Sequence, residues 1–152
     1  MNQRQIRFRV WDKKKKVIID LQNKNYILNT EDGWHVLKYM TALDGYSPDD
    51  YYPFYDESNS VLMQFTGLHD KNGKEIWEGD ILYDKYSNLV NQLKRTECLS
   101  REEFKKVEVF WDVGMGRWGV GNKIGVSSLE FVIEDSEVIG NVWKNPELMG
   151  CV

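Results

Sequence analysis

The chain has 152 residues, a net charge of −4 at neutral pH and a hydrophobic fraction of 41%, which are ordinary values for one soluble globular domain. The negative net charge argues against a general nucleic-acid-binding protein, because such proteins usually present a basic surface. No apolar run is long enough to cross a bilayer or to serve as a signal peptide, and the two cysteines, Cys98 and Cys151, are too few for a disulfide framework.

The N-terminal residues predict a β-hairpin. In QIRFRVW the side chains alternate, so Ile6, Phe8 and Val10 are expected on one face of a strand, with Arg9 and Trp11 on the other. A polar turn, DKKKK, and a second apolar segment, VIIDL, follow directly. The high aromatic content of 13% also favours β structure, because Trp and Tyr fit a pleated, half-buried surface.

The next segment, NYILNTEDGWHVLKYM, predicts a second hairpin around Asp32 and Gly33, a dipeptide favoured where the backbone needs a positive φ. Residues 34–43 fit either a strand or a helix, because Val36, Leu37 and Met40 would also lie on one helical face. Residues 44–59 combine glycine, proline, acids and aromatics, and they predict an ordered surface loop or linker.

Strong local signals occupy the stretch from VLMQFTGL to GLHDKNGKEIWEGDIL. Val61, Met63 and Phe65 alternate as they would on one face of a strand. Asp70 and the following Asn-Gly pair then predict a tight turn, held by hydrogen bonds from the backbone to the carboxylate. A second turn is expected at Gly79. Turn formation explains these residues better than a binding site made of carboxylates does.

The second half of the chain has a more irregular pattern. Residues 85–106 interrupt the β pattern and predict one or two short helices, with a capping box from Ser100 to Glu103. VEVFWDV is a strong strand. The C-terminal NPELM predicts a last helical turn, with Asn145 as its cap and Pro146 in its first position.

Motifs that carry chemistry are weak in this chain. Gly114, Gly116 and Gly119 spell G-x-G-x-x-G, but the residues after them are β-like, which favours a glycine-bearing hairpin over a dinucleotide site. HDKNGKE departs from the calcium-loop pattern, since its glycine comes too early. His35 and His69 have no recognisable nucleophile motif nearby. We therefore predict no catalytic residue, no metal ligand and no cofactor.

Two groups of residues are candidates for an interaction surface. Aromatic residues typical of protein interfaces occur together at Tyr51, Tyr52, Phe54 and Tyr55, although packing on the protein's own sheet would explain them too.

Basic residues near the N-terminus would suit single-stranded nucleic acid, and they are Arg7, Arg9, Lys13, Lys14, Lys15 and Lys16. A solvated hairpin tip is the simpler interpretation of this group, and we favour it. The acids between residues 44 and 57 suggest a mimic of nucleic-acid phosphates only weakly.

Three blocks of the sequence together resemble one known family. LMQFTGLHDKNGKEIWEGDIL resembles the signature of the YopX family, whose members are small proteins found mainly in bacteriophages and prophages. IRFRVWDKKKK and EVIGNVWKNPELM resemble its N-terminal and C-terminal stretches, in the same order. The resemblance implies an all-β fold, an SH3-type β-barrel at residues 59–152 with an additional β-hairpin layer at residues 1–58 and one or two short helices.

The resemblance implies no reaction, catalytic residue, metal or ligand. We therefore expect a non-catalytic protein-binding or assembly module of phage or prophage origin, located in the cytoplasm of the bacterial host. It would act on a protein partner or by self-association as a homo-oligomer, and not on a membrane. The alternative is a nucleic-acid-binding protein that uses the basic N-terminal hairpin.

Overall fold

The computed structural model describes residues 5–22, 26–29, 35–39, 51–84, 105–122 and 125–150, with the backbone alone for 26–29, 35–39 and 51–55. This part of the chain is mostly β-strand with little helix, which confirms the prediction of an all-β fold. Its strands are β1 (Phe8–Asp12), β2 (Val17–Asp20), β3 (Tyr26–Asn29), β4 (His35–Tyr39), β5 (Tyr51–Asp56), β6 (Ser60–His69), β7 (Glu75–Trp77), β8 (Asp80–Asp84), β9 (Lys106–Asp112), β10 (Arg117–Asn122), β11 (Gly125–Ser128) and β12 (Ser136–Asn141). Two single-turn 3₁₀ helices are η1 (Leu129–Phe131) and η2 (Pro146–Met149).

The chain divides into two compact units. The N-terminal unit consists of residues 6–64, and the C-terminal unit consists of residues 1–5 and 65–152. The division lies within β6, whereas the sequence placed a boundary between residues 58 and 59.

In the N-terminal unit, β1 pairs in antiparallel fashion with β2 and with the first half of β6. This confirms the predicted hairpin. Alternation placed Val10 and Trp11 on opposite faces of a half-buried strand, so only one of them was expected to be buried. Both side chains are buried in the structure. Ile6 was predicted to face the core, and this was wrong, because Ile6 precedes the start of β1 at Phe8 and is 67% exposed.

A second sheet in the same unit has the order β3-β4-β5. The antiparallel pairing of β3 with β4 confirms the second hairpin, and β4 shows that residues 35–39 form a strand. The loop predicted at 44–59 was partly wrong, since Tyr51–Asp56 is β5. Pro53 is tolerated there because β5 is an edge strand and Pro53 lies opposite Leu37, where the register shifts.

The C-terminal unit contains a five-stranded antiparallel sheet with the order β11-β10-β9-β8-β12. The second half of β6 also lies in this unit and pairs with β7. One apolar cluster fills the core, and its buried members are Ile76, Leu82, Val107, Val109, Trp118, Val120 and Leu129. Each such side chain stabilises the fold by roughly 1.5–3 kcal/mol when it is fully buried. Alternation places Val107 and Val109 on the core face of β9, as a half-buried strand requires.

The C-terminal helical turn forms where it was expected, but its cap differs. Pro146 occupies the first turn of η2, and Asn145 stands at the cap position. The Asn145 side chain makes no capping hydrogen bond, so that detail of the prediction was wrong. The main-chain oxygen of Asn145 instead accepts a hydrogen bond from the Leu148 N–H at 3.0 Å, which gives a tight 3₁₀ turn. One or two short helices were predicted within residues 85–106; residues 85–104 lie outside the described residues, and Lys106 begins β9.

Candidate functional site

The turn between β6 and β7 is organised by one buried carboxylate. Oδ1 of Asp70 accepts hydrogen bonds from the N–H groups of Asn72 at 2.8 Å and Lys74 at 2.9 Å. Gly73 completes the turn with a φ of 79°, and its N–H donates to the main-chain oxygen of Asp70. This confirms the predicted Asx-type turn, in which a short acidic side chain replaces a backbone acceptor.

The same turn also closes the outer edge of β12. Oδ2 of Asp70 accepts a hydrogen bond from the Val138 N–H at 2.9 Å. The Lys71 N–H donates to the Ser136 oxygen at 3.1 Å, and the Lys74 ammonium donates to the Val138 oxygen at 3.2 Å. Three main-chain groups of β12 that point away from β8 are thereby satisfied, as an edge strand requires if it is not to pair with another chain.

The environment of Asp70 changes its acidity. Burial works to raise the pKa of Asp70, but the N–H groups of Val138, Lys74 and Asn72 favour the charged form more strongly, so the net effect is a lowered pKa. A buried carboxylate that accepts three backbone hydrogen bonds is bound to its own fold. Asp70 therefore stabilises the fold in its charged form and is poorly placed to abstract a proton.

A second buried carboxylate, Asp80, anchors the next corner. Its Oδ2 accepts a hydrogen bond from the Trp77 N–H at 3.0 Å, and its Oδ1 accepts one from the Asn141 amide at 3.1 Å. Oδ1 of Asn141 then accepts from the Trp143 N–H at 3.0 Å. Asp80 and Asn141 are 2% and 3% exposed. This chain of bonds connects the start of β8 to the residues that leave β12.

Gly79 lies inside this corner. Its φ is 75°, its N–H donates to the Val109 oxygen at 2.8 Å, and its oxygen accepts from the Val142 N–H at 2.8 Å. A Cβ at this position would lie 3.3 Å from Nε1 of Trp143 and 3.4 Å from Nδ2 of Asn141. Both the backbone conformation and the space therefore favour glycine.

The carboxylate of Glu108 has a raised pKa, whereas that of Asp70 has a lowered one. Burial raises the pKa of Glu108, and the nearby charge of Glu78 raises it further. A raised carboxyl pKa marks many catalytic acids. The ring of His69, one of the two histidines, makes an edge contact with Phe65, with ring centroids 5.8 Å apart. Among the described residues, no group of three or more His, Cys, Asp and Glu side chains is arranged to hold a metal ion.

The predicted aromatic surface group lies on β5. The strand pairs with β4, with Tyr52 opposite Lys38 and Tyr55 opposite Val36. The side chains of Tyr51, Tyr52, Phe54 and Tyr55 lie outside the described part of the structure. Their role as an interaction surface stays a prediction.

The predicted basic group is divided by the structure. Lys13, Lys14, Lys15 and Lys16 are exposed at the turn between β1 and β2. The Lys13 ammonium donates a hydrogen bond to the main-chain oxygen of Glu57 at 2.8 Å. The Lys15 ammonium lies 3.7 Å from Oδ2 of Asp12.

Arg7 and Arg9 differ from the lysines, because both are half-buried and the Nε atom of each is shielded from solvent. The four lysines share one exposed turn, whereas the two arginines are half-buried.

The turn between β9 and β10 carries exposed apolar side chains that the sequence analysis did not single out. Val113 is 84% exposed and Met115 is 69% exposed, and Trp111 beside them is 39% exposed. The Asp112 carboxylate holds the turn by accepting from the Met115 N–H at 3.2 Å. The ring of Trp111 packs edge-on against the buried Trp118, with centroids 5.1 Å apart. We call Trp111, Val113 and Met115 the hairpin tip.

Comparison with known proteins identifies the family. Residues 7–150 match the family described as YopX protein. The chain belongs to the YopX family. The crystal structure of protein EF1440 from Enterococcus faecalis is similar, with 27% identity, coverage of 97% of this chain and 99% of that one, and a TM-score of 0.59.

Protein yopX from Bacillus subtilis is 23% identical over 93% of this chain and 96% of its own, with a TM-score of 0.57, a likeness that shows the fold alone. A search of curated proteins gave no match. Within the part of the chain that the structure describes, no helix of this YopX-family protein has the length and apolar character needed to span a membrane.

Replacing Gly79 with valine should destabilise this YopX-family protein by roughly 1–3 kcal/mol, the scale of local backbone strain. Gly73 provides a matched control, because it has a φ of 79° and a Cβ added there would meet no atom within 4 Å, whereas the corner at Gly79 is occupied. Chemical unfolding should show a larger loss for Gly79→Val than for Gly73→Val. Equal losses would mean that the contacts with Trp143 and Asn141 contribute nothing.

Replacing Asp70 with asparagine should lower the free energy of unfolding at neutral pH by about 2 kcal/mol or more, since hydrogen bonds to a buried charged acceptor are strong. The lowered pKa means that this contribution is present above the ordinary value of 3.8 and is lost as the pH falls through the folded-state pKa. Urea unfolding from pH 7 to pH 2 measures the difference. The control Glu137→Gln removes an exposed carboxylate paired with Lys71 at 2.9 Å and should have a much smaller effect. An asparagine variant as stable as wild type at pH 7 would contradict this account of Asp70.

Glu108→Gln should have the opposite effect and raise the free energy of unfolding at pH 7. Since the pKa of Glu108 is raised in the folded protein, the folded state holds the proton more tightly than the unfolded chain does. The advantage of glutamine should therefore shrink as the pH falls through the raised pKa and vanish below the ordinary value of 4.5. The exposed Glu130 gives a control substitution, Glu130→Gln, with little expected effect. A destabilised Glu108→Gln variant at pH 7 would show that the charge is favourable there.

Proposed function

We propose that this YopX-family protein is a non-catalytic protein-binding or assembly module, and that the hairpin tip is its contact surface. The single observation that carries the proposal is the exposure of Val113 and Met115 beside Trp111 in one short turn. Exposed apolar side chains cost free energy in water, and a cluster of them on a rigid turn is typical of a protein interface.

The chemistry of the tip supports this proposal. Tryptophan and methionine are enriched at interfaces, because the indole ring brings a large rigid area and the thioether adapts its shape to a partner. Asp112 fixes the turn through its carboxylate, and Gly116 takes a φ of 61° with its N–H bonded to the Asp112 oxygen at 2.8 Å. A turn held in this way loses little conformational entropy on binding.

The buried carboxylates support a non-catalytic role. Asp70 and Asp80 use their oxygens to accept hydrogen bonds from the fold itself. We further propose a phage or prophage origin, a location in the bacterial cytoplasm and an SH3-type barrel for the C-terminal unit. The strand order with its closed β12 edge supports the last of these.

The tip is tested with the double substitution Val113→Ser and Met115→Ser. Tagged wild-type protein should recover a partner from infected host cells, and the tip variant should recover at least tenfold less of it. Val17 provides a matched control, because it is an exposed valine at 43% on β2, so Val17→Ser should behave as wild type. Equal recovery by all three proteins would refute the tip as the contact surface.

Nucleic-acid binding by the basic turn is the alternative function, and it has its own test. Contacts with phosphates would make affinity for single-stranded DNA fall steeply with salt. We expect little binding near physiological salt, because the net charge is −4 and the Lys13 and Lys15 ammonium groups already lie against Glu57, Ser58 and Asp12.

Fluorescence anisotropy of wild type and of a variant with alanine at Lys13, Lys14, Lys15 and Lys16 measures this affinity. Sub-micromolar binding by wild type that the alanine variant loses would make nucleic-acid recognition the better proposal.

A further inference from the structure

The five-stranded sheet of the C-terminal unit has two edges that are treated differently. The outer edge of β12 is closed, because the 70–74 turn bonds to the Ser136 oxygen and to both main-chain groups of Val138. The opposite edge is β11, which pairs with β10. Among the described residues, no hydrogen bond reaches the main chain of β11 from any strand except β10.

Within the described residues, the features that usually protect an edge strand do not occur on the first three residues of β11, whereas Ser128 at its end is buried. Natural edges are blunted with charged residues, proline, a β-bulge or a covering segment. The sequence of β11 is GVSS, which contains neither a charge nor a proline, and its register with β10 runs without a bulge. Val126 in its centre is 58% exposed. An unpaired row of N–H and C=O groups is complementary to one kind of ligand, which is another extended strand.

We propose that β11 is the surface through which two copies of this chain associate, by antiparallel pairing of β11 with its equivalent across a two-fold axis. A second copy fits because the edge is self-complementary: identical strands in antiparallel orientation align the donors of one with the acceptors of the other. The whole chain carries a charge of −4, but β11 itself is uncharged, so the two edges meet without direct like-charge contacts.

The geometry of a two-fold axis limits the register. Directly opposite residues of an antiparallel pair have their side chains on the same face of the sheet. A two-fold axis must therefore pass midway between one residue and the same residue of the second copy. The central residues of β11 are Val126 and Ser127, so the axis passes through Val126–Val126 or Ser127–Ser127. In the first arrangement the two exposed valine side chains cover each other.

The contact is short, which sets its strength. Four residues span about 13 Å at ~3.3 Å per residue, so the contact is confined to one short strand, whereas a standard protein interface buries about 1,600 Å². Pairing of β11 therefore predicts a weak dimer that forms at high protein concentration. This inference concerns a different surface from the hairpin tip and does not depend on it.

Sedimentation velocity from low-micromolar to millimolar protein tests the proposal with two matched variants. Val126→Lys places a charge on the β11 edge, whereas Val17→Lys places the same charge on an exposed valine of β2, outside both proposed surfaces. The mean mass of wild type and of Val17→Lys should rise towards that of a dimer with concentration, and Val126→Lys should stay monomeric. A wild type that stays monomeric throughout, or a Val126→Lys variant that associates like wild type, would overturn the proposal.

Amide hydrogen exchange of the unmodified protein gives a second reading that needs no variant. The β11 amides that face away from β10 should exchange more slowly at high protein concentration than at low concentration, while amides in β9 should be unchanged. Protection of β11 that is independent of concentration would also overturn the proposal. Loss of partner recovery in the Val113→Ser and Met115→Ser variant with dimerisation intact would separate the two surfaces.

Discussion

The C-terminal unit depends on the double role of the Asp70 carboxylate. One oxygen holds the turn between β6 and β7, and the other holds Val138 of β12. A buried charge is expensive unless hydrogen bonds replace its water, so all three N–H groups have to be in place together. Because β12 pairs with β8 and β8 pairs with β9, the position of this carboxylate is connected through the sheet to the core strands.

The YopX-like signature of this chain therefore encodes a scaffold. Asp70 and Asp80 are buried, and their carboxylates accept hydrogen bonds from the turn, from β12 and from the Trp77 N–H. The side chains proposed to contact a partner lie elsewhere, at the hairpin tip and on β11, where Val113, Met115 and Val126 are exposed.

Local signals in the sequence predicted much of this fold. Alternation predicted β1, β6 and β9, and the Asp-x-Asn-Gly pattern predicted the turn at Asp70, because both depend on neighbours within a few residues.

The sequence could not show that Oδ2 of Asp70 reaches Val138, which lies 68 positions away. It also missed β5, because a proline and several acids look like a loop until the edge position of the strand is known. The hairpin tip was missed for a related reason, because the sequence alone does not distinguish Trp111 from Trp118. Only the packing in the structure shows that the Trp111 ring is partly exposed and the Trp118 ring is buried.

An NMR pH titration of backbone amides tests the central claim most directly. If Asp70 bonds to its own turn and to β12 at once, the amide protons of Asn72, Lys74 and Val138 should shift together, with one common midpoint below the ordinary carboxyl value of 3.8. A Val138 amide that does not respond, or that follows a midpoint above 3.8, would show that the carboxylate does not hold the edge of β12.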